Sequence, residues 1–195
     1  MAYAKITLLL CAGLFSLSAL AAPESDDWSG HYRSTWISVS PMQHGNKPPD
    51  EEFWIVRAAD ADPAKLGNDE GRKLLPKEKD REPGTDLVKL AKERGIDLTR
   101  WAISPDGKSD GKKAGVLRRF LPQEYKGFGW DSLHEAGGIE CLHSVDAFFF
   151  VCRVEPGTTI TTGEASQEKL LARTGFFGAV IDVGGFELTK LDSAP

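Results

Sequence analysis

The sequence predicts a mainly β fold with one or two helices: an antiparallel meander that closes into a small barrel or a sandwich and carries one disulfide. Three observations lead there. Short runs rich in β-branched and aromatic residues recur along the 195 residues, separated by Gly, Pro and Asp turn signals. Cys141 and Cys152 flank a single apolar hairpin. Only one stretch, "GTDLVKLAKERG", has a clear helical period together with start and stop signals.

The chain opens "MAYAKITLLLCAGLFSLSALAAPESDDWSG". Lys5 precedes an apolar run from Ile6 to Leu20, and Ala19-Leu20-Ala21 has the small-x-small form of a cleavage site. Residues 1–21 therefore read as a secretory signal peptide, cleaved near Ala21, and 22–195 as one β-rich domain. The run is shorter than the roughly 20 residues of a membrane span, and the polar "PESDD" follows it. Cys11 sits inside the run after Leu10, the wrong setting for a lipid anchor. Cleavage leaves two of the three cysteines, and an even pair in an exported chain reads as a disulfide. The expected location is the periplasm, with no membrane span in the mature chain.

"GHYRSTWISVS" alternates Tyr32, Ser34, Trp36 and Ser38 against Arg33, Thr35, Ile37 and Val39, a strand pattern. "EFWIVRA" is a second strand, "GVLRRFL" a third and "TTITTG" a fourth. "GFFGAVIDV" and "FELTKLD" form a C-terminal pair around Gly184-Gly185, a hairpin or bulge signal. The segment from about Gly67 to Gly84 is charged and punctuated by proline, and reads as an exposed, mobile excursion. The helix follows near 85–95, capped by Thr85 or Asp86, with Leu87, Leu90 and Ala91 on one face and Gly95 as its stop. A second short helix is expected over Ala165–Ala172.

The hairpin "GIECLHSVDAFFFVCRVEPGT" fixes a register. Opposing Cys141 with Cys152 places Leu142 against Val151, His143 against Phe150, Ser144 against Phe149 and Val145 against Phe148. That leaves Asp146-Ala147 as a tight loop. Bridged cysteines favour a non-hydrogen-bonded pair, where Cβ atoms come close. Side chains alternate along strands, so Phe148, Phe150 and Cys152 share one face while Phe149, Val151 and Arg153 share the other. Three consecutive phenylalanines therefore call for apolar contact on both faces of this strand.

Little in the chain speaks for catalysis. The four histidines, His31, His44, His134 and His143, lack ligand spacing, and His134-Glu135 lacks the second histidine of a helical zinc site. There is no Gly-x-Ser-x-Gly elbow. The mature cysteines have ten residues between them, unlike the two of a redox Cys-x-x-Cys pair. The paired carboxylates Asp26-Asp27 and Glu51-Glu52 would point to opposite faces of a strand. No catalytic residue, metal or cofactor is expected. The net charge of −5, or −6 once Lys5 leaves with the signal peptide, disfavours nucleic acid and anionic lipid and suits a basic partner.

"DDWSGHYRS" resembles the opening Trp-x-Gly-x-Tyr of small exported β-barrels, including lipocalin-like domains, although it departs from the Gly-x-Trp order of lipocalins. "FVCRVEPGTTITTGE" with "TGFFGAVIDVGGFELTKLD" resembles, in organisation, small periplasmic immunity and inhibitor proteins that protect against secreted antibacterial toxins. That resemblance implies a non-enzymatic, protein-binding function directed at a basic secreted toxin or hydrolase. The expected contacts are Trp130 and Phe128 as aromatic anchors on a Gly-rich loop, with Asp131, Glu135, Glu51 and Glu52 as acidic partners. Two alternatives are a lipocalin-like carrier of a small apolar ligand and a cell-wall-acting hydrolase with dispersed carboxylates.

Overall fold

The computed structural model describes residues 28–44, 46–108, 115–161 and 169–192. The signal-peptide reading, Asp26-Asp27 and residues 165–168 of the second expected helix lie outside them. Eight strands close into an antiparallel barrel: β1 (Gly30–Trp36), β2 (Glu51–Arg57), β3 (Trp101–Ser104), β4 (Gly115–Arg119), β5 (Ile139–Ser144), β6 (Phe149–Val154), β9 (Phe176–Val180) and β10 (Gly184–Asp192). β7 (Thr158–Thr161) and β8 (Lys169–Ala172) form a separate hairpin inserted between β6 and β9. Every barrel strand pairs with its neighbour in the meander, and β1 closes the ring on β10. The fold is thus the barrel form of the expected meander.

Strand alternation divides the apolar residues into two layers. Inward rows fill the barrel with Tyr32, Ile55, Leu117, Leu142, Val151 and Leu188. An eight-stranded barrel is just wide enough for such a filling. Outward rows of β5, β6 and β9 supply Cys141, Phe150, Cys152 and Phe177 to a second cluster. Covering it are the β7–β8 hairpin and two short helices, α2 (Pro122–Gly127) and α3 (Asp131–Glu135). Phe149 faces the interior and Phe150 the outer layer, so the Phe run serves both faces, as expected.

Cys141 and Cys152 are bonded and stand opposite each other, with Leu142 against Val151 and His143 against Phe150. The Cys141 N–H donates to the Tyr125 hydroxyl at 2.9 Å and its carbonyl accepts from Phe120 N–H at 2.9 Å. Both groups point away from β6, which makes the cysteines a non-hydrogen-bonded pair. The connection is longer than expected. The β5–β6 pairing ends at His143 and Phe150, β5 itself ends at Ser144 and β6 begins at Phe149, so Val145–Phe148 connect the strands and Phe148 is 73 % exposed.

Three further expectations are corrected. Lys169–Ala172 is strand β8, with Leu170 opposite Ile160 and alternate residues buried. Four residues are too few for a helical period to declare itself, and β7 supplies the pairing. The strand "WAIS" of β3 was not expected; it is short and ends at a proline. The β9–β10 turn lies at Ile181–Val183, with Asp182 at φ 65°, and Gly184 already pairs with Val180.

The long β2–β3 connection has a small core of its own, Leu66, Leu75, Ala91 and Leu98. α1 (Leu87–Glu93) contributes Ala91, takes its cap from Asp86, whose carboxylate accepts Lys89 N–H at 3.0 Å, and ends before Gly95 at φ 68°. The charged stretch is therefore anchored, with Leu75 buried and Glu70 paired to Arg100 and Arg118. Its apolar residues are few but well placed.

Glu124 ties α2 to the barrel. Its carboxylate accepts from Arg118 at 2.6 and 2.9 Å, from Leu121 N–H at 2.7 Å, and meets His143 Nδ1 at 2.7 Å. Burial raises its pKa, but the bonds to His143, Arg118 and Leu121, with the Arg118 charge, outweigh that and hold it down to about 2. A depressed carboxyl stabilises the fold above its ordinary value of 4.5, and this contribution drains away as pH falls toward 2. Glu124→Gln should lower the melting temperature at neutral pH and flatten this part of the acid limb, as read from melting curves across pH.

Gly178 marks a close approach inside the sheet. A Cβ there would lie 2.5 Å from the Phe186 ring and 2.5 Å from the Phe150 carbonyl oxygen. Gly178→Ala should cost about 1–3 kcal/mol, measurable by denaturant unfolding, because backbone on one side leaves no room to repack.

Candidate functional site

In an up-and-down barrel, alternate connections fall at the same end. The β2–β3, β4–β5 and β6–β9 connections carry α1, α2–α3 and the β7–β8 hairpin, and all leave from one end of the barrel. That end is sealed from within. Trp28 and Trp101 are buried there, with Arg153 over Trp28 at 5.3 Å and Arg119 over Trp101 at 5.0 Å. Glu140 bridges the two arginines, accepting from Arg153 Nε at 2.8 Å and pairing with Arg119.

The opposite end bears the β1–β2, β3–β4, β5–β6 and β9–β10 connections, without α-helix or sheet among the described residues. Here the inward rows end in a cup of about 330 Å³. Trp36, Phe53, Ile103, Phe149, Val180 and Phe186 supply its apolar wall. Phe186 meets Trp36 edge-on at 5.3 Å and stacks with Phe149 at 5.8 Å. Ser34 and Glu51 are its polar members on the inward rows, and Glu52 borders it from the outward row. A concave apolar site with few polar groups is the usual form of a ligand pocket, and this volume is at the small end of that range.

Four of the seven exposed large apolar side chains among the described residues stand around this mouth: Ile37, Val145, Phe148 and Ile181. Each follows or precedes a residue at the end of a strand, and Ile181 N–H bonds the Phe148 carbonyl at 2.8 Å. These exposed apolar residues lie at the same end of the barrel as the apolar cup, and apolar surface gathered at one end is the kind that marks an interaction site.

The sequence-derived candidates divide into two groups. Glu51 and Glu52 lie at the mouth and, as neighbours on β2, point to opposite faces. Glu52 faces outward. Its hydrogen bond from Arg33, at 2.9 Å from Nε, holds its pKa below the ordinary carboxylate value, and His31 Nε2 lies 3.3 Å away. Trp130, Phe128, Asp131 and Glu135 lie instead on the outer wall. The expected Gly-rich loop there is the α2–α3 pair, and Trp130 is only 4 % exposed. Its Nε1–H donates to the Thr161 carbonyl at 2.8 Å, and its ring stacks on Phe128 at 4.6 Å. Trp130 is a core residue of the covering layer, with almost all of its ring covered. Asp131 and Glu135 are exposed on α3.

A second cleft, also about 330 Å³, separates the β2–β3 connection from the barrel wall and is lined by Glu70, Asp97, Arg100, Arg118 and Arg119. Most of its charges are spent on one another. Arg100 and Arg118 pair with Glu70, and Arg119 meets Asp97 at 3.3 Å. Among the described residues, no three His, Cys, Asp or Glu side chains are grouped to hold a metal ion, and no helix is long and apolar enough to cross a membrane. Comparison with protein-family models, curated proteins and solved structures finds no match to this chain.

Trp130→Ala should destabilise the protein by about 3–5 kcal/mol, since it removes a buried indole from between the sheet and its cover. A fall in melting temperature checks this; a variant as stable as the wild type would show that the outer layer does not depend on it.

Proposed function

We propose that this is an exported, periplasmic, non-enzymatic binding protein of the immunity or inhibitor type, which grips a secreted protein through the open end of its barrel. The supporting observation is the asymmetry of the two ends. The connections that carry α-helix or sheet among the described residues all leave from the sealed end, while Ile37, Val145, Phe148 and Ile181 stand exposed near an apolar cup at the other. Val145, Phe148 and Ile181 sit on short loops over a closed sheet and are well placed for association, because little loop ordering is lost on contact. The disulfide between β5 and β6 adds stability near the β5–β6 loop that carries Val145 and Phe148. The acidic balance of the chain supports a basic partner.

A second reading, a carrier of a small apolar ligand, draws support from the cup itself. The barrel interior beneath it is already filled by Tyr32, Ile55 and Leu142, so that ligand would be short.

The test uses the mature protein and two single variants, Phe148→Asp at the mouth and Val88→Asp on α1, both at exposed positions. Secreted proteins from the producing bacterium and its close kin are passed over each, and a captured protein is purified and titrated by calorimetry. The expected result is one-to-one binding by the wild type and by Val88→Asp, weakened at least about thirtyfold by Phe148→Asp, the loss of about 2 kcal/mol typical of a buried anchor. Equal binding by all three would remove the open end from consideration. A small apolar compound released from the pure protein by organic solvent, with no protein captured, would favour the carrier.

A further inference from the structure

We infer that the cup receives a cationic side chain, arginine or lysine, presented by the partner protein, with the Glu51 carboxylate as its counter-charge; this rests on the open end being the partner-binding surface. Glu51 stands on the inward row of β2, two residues before Phe53 and four before Ile55, both members of the interior cluster. Its backbone is held in place: Glu51 N–H donates to Ser34 Oγ at 3.2 Å, and the Ser34 hydroxyl lies 3.2 Å from the Glu51 carbonyl oxygen.

The Glu51 carboxylate itself has no hydrogen-bond or ion-pair partner among the described residues, and the described cations on β1 and on the β1–β2 and β3–β4 connections are paired with other carboxylates. Arg33 is bonded to Glu52, Lys47 lies 3.5 Å from Asp50, and Lys108 lies 3.9 Å from Asp106. Those pairings leave one carboxylate directed into an aromatic-walled cup. An arginine or lysine matches that arrangement along its whole length. Its methylene stem packs against apolar walls, its head stacks on or lies over aromatic rings, and a carboxylate receives its N–H donors. A fatty acid would bring a second carboxylate against Glu51, and an uncharged apolar group would leave Glu51 unpaired at a desolvated interface.

The experiment follows the indole N–H signal of Trp36 by NMR in the nitrogen-labelled mature protein, identified by its loss in Trp36→Phe. The probes are N-acetyl-arginine amide, its neutral isostere N-acetyl-citrulline amide, and hexanoate. The expected result is a saturable shift with the arginine probe, binding at least about tenfold weaker for citrulline, as loss of a charge-assisted contact implies, and no response to hexanoate. Glu51→Gln, at an exposed position, should melt like the wild type and reduce arginine binding to the citrulline level. Equal affinity for arginine and citrulline, a preference for hexanoate, or no shift with any probe overturns the inference. With a purified partner, weakening by Phe148→Asp but not by Glu51→Gln overturns it while leaving the partner-binding reading intact; weakening by neither overturns both.

Discussion

Closure of the sheet by β1 on β10 is the constraint from which the rest of the molecule follows. His31 at the start of the first barrel strand is paired with Asp192 at the end of the last. A ring of paired strands has no exposed edge to protect. It also gives every strand an inside and an outside, and leaves only two ends where anything else can happen. The inside is filled by one side chain in two from each strand. Tyr32, Ile55, Leu117 and Leu142 meet there with no exposed surface left. Gly178 makes room for the Phe186 ring within that packing.

The outside of β5, β6 and β9 is apolar too, and so it must be covered. The insertions do this. α2, α3 and the β7–β8 hairpin bury Phe150, Phe177 and the disulfide beneath Tyr125 and Trp130. Polar contacts hold the cover in register, through Glu124 on Arg118 and His143, and through Tyr125 on Cys141 N–H. These polar groups sit where apolar packing alone would let a six-residue helix slide, and their directionality limits that freedom. On the β2–β3 connection, Glu70 does the same with Arg100 and Arg118.

With the wall covered and one end sealed by Trp28, Trp101 and the Glu140 ion pairs, the unburied apolar surface concentrates at the other end. That is where the inward rows run out and the connections carry no α-helix or sheet among the described residues. The same asymmetry separates structural from interacting aromatics. Trp130 looks like a recognition residue in a Gly-rich context, yet it lies within the cover, whereas Phe148, one of three consecutive phenylalanines, is the exposed member.

Much of the local structure was legible in the sequence. The β1, β2, β4, β9 and β10 patterns, the α1 cap at Asp86 and stop at Gly95, and the Cys141–Cys152 register all follow from period, turn chemistry and the geometry of opposed cysteines. These are short-range constraints, complete within a few residues or one hairpin. β3 and β8 were hidden because four residues carry too little period to identify, and their pairing comes from strands elsewhere in the chain. The charged stretch hid its anchors because Leu66 and Leu75 gain their burial from Ala91 and Leu98, which lie well downstream. The fate of Trp130 and the meeting of Trp36, Ile103, Phe149 and Phe186 around one cup were decided by tertiary structure alone. Strand order brings those residues together across most of the chain, and no pattern local to any one of them records which end of a barrel it will reach.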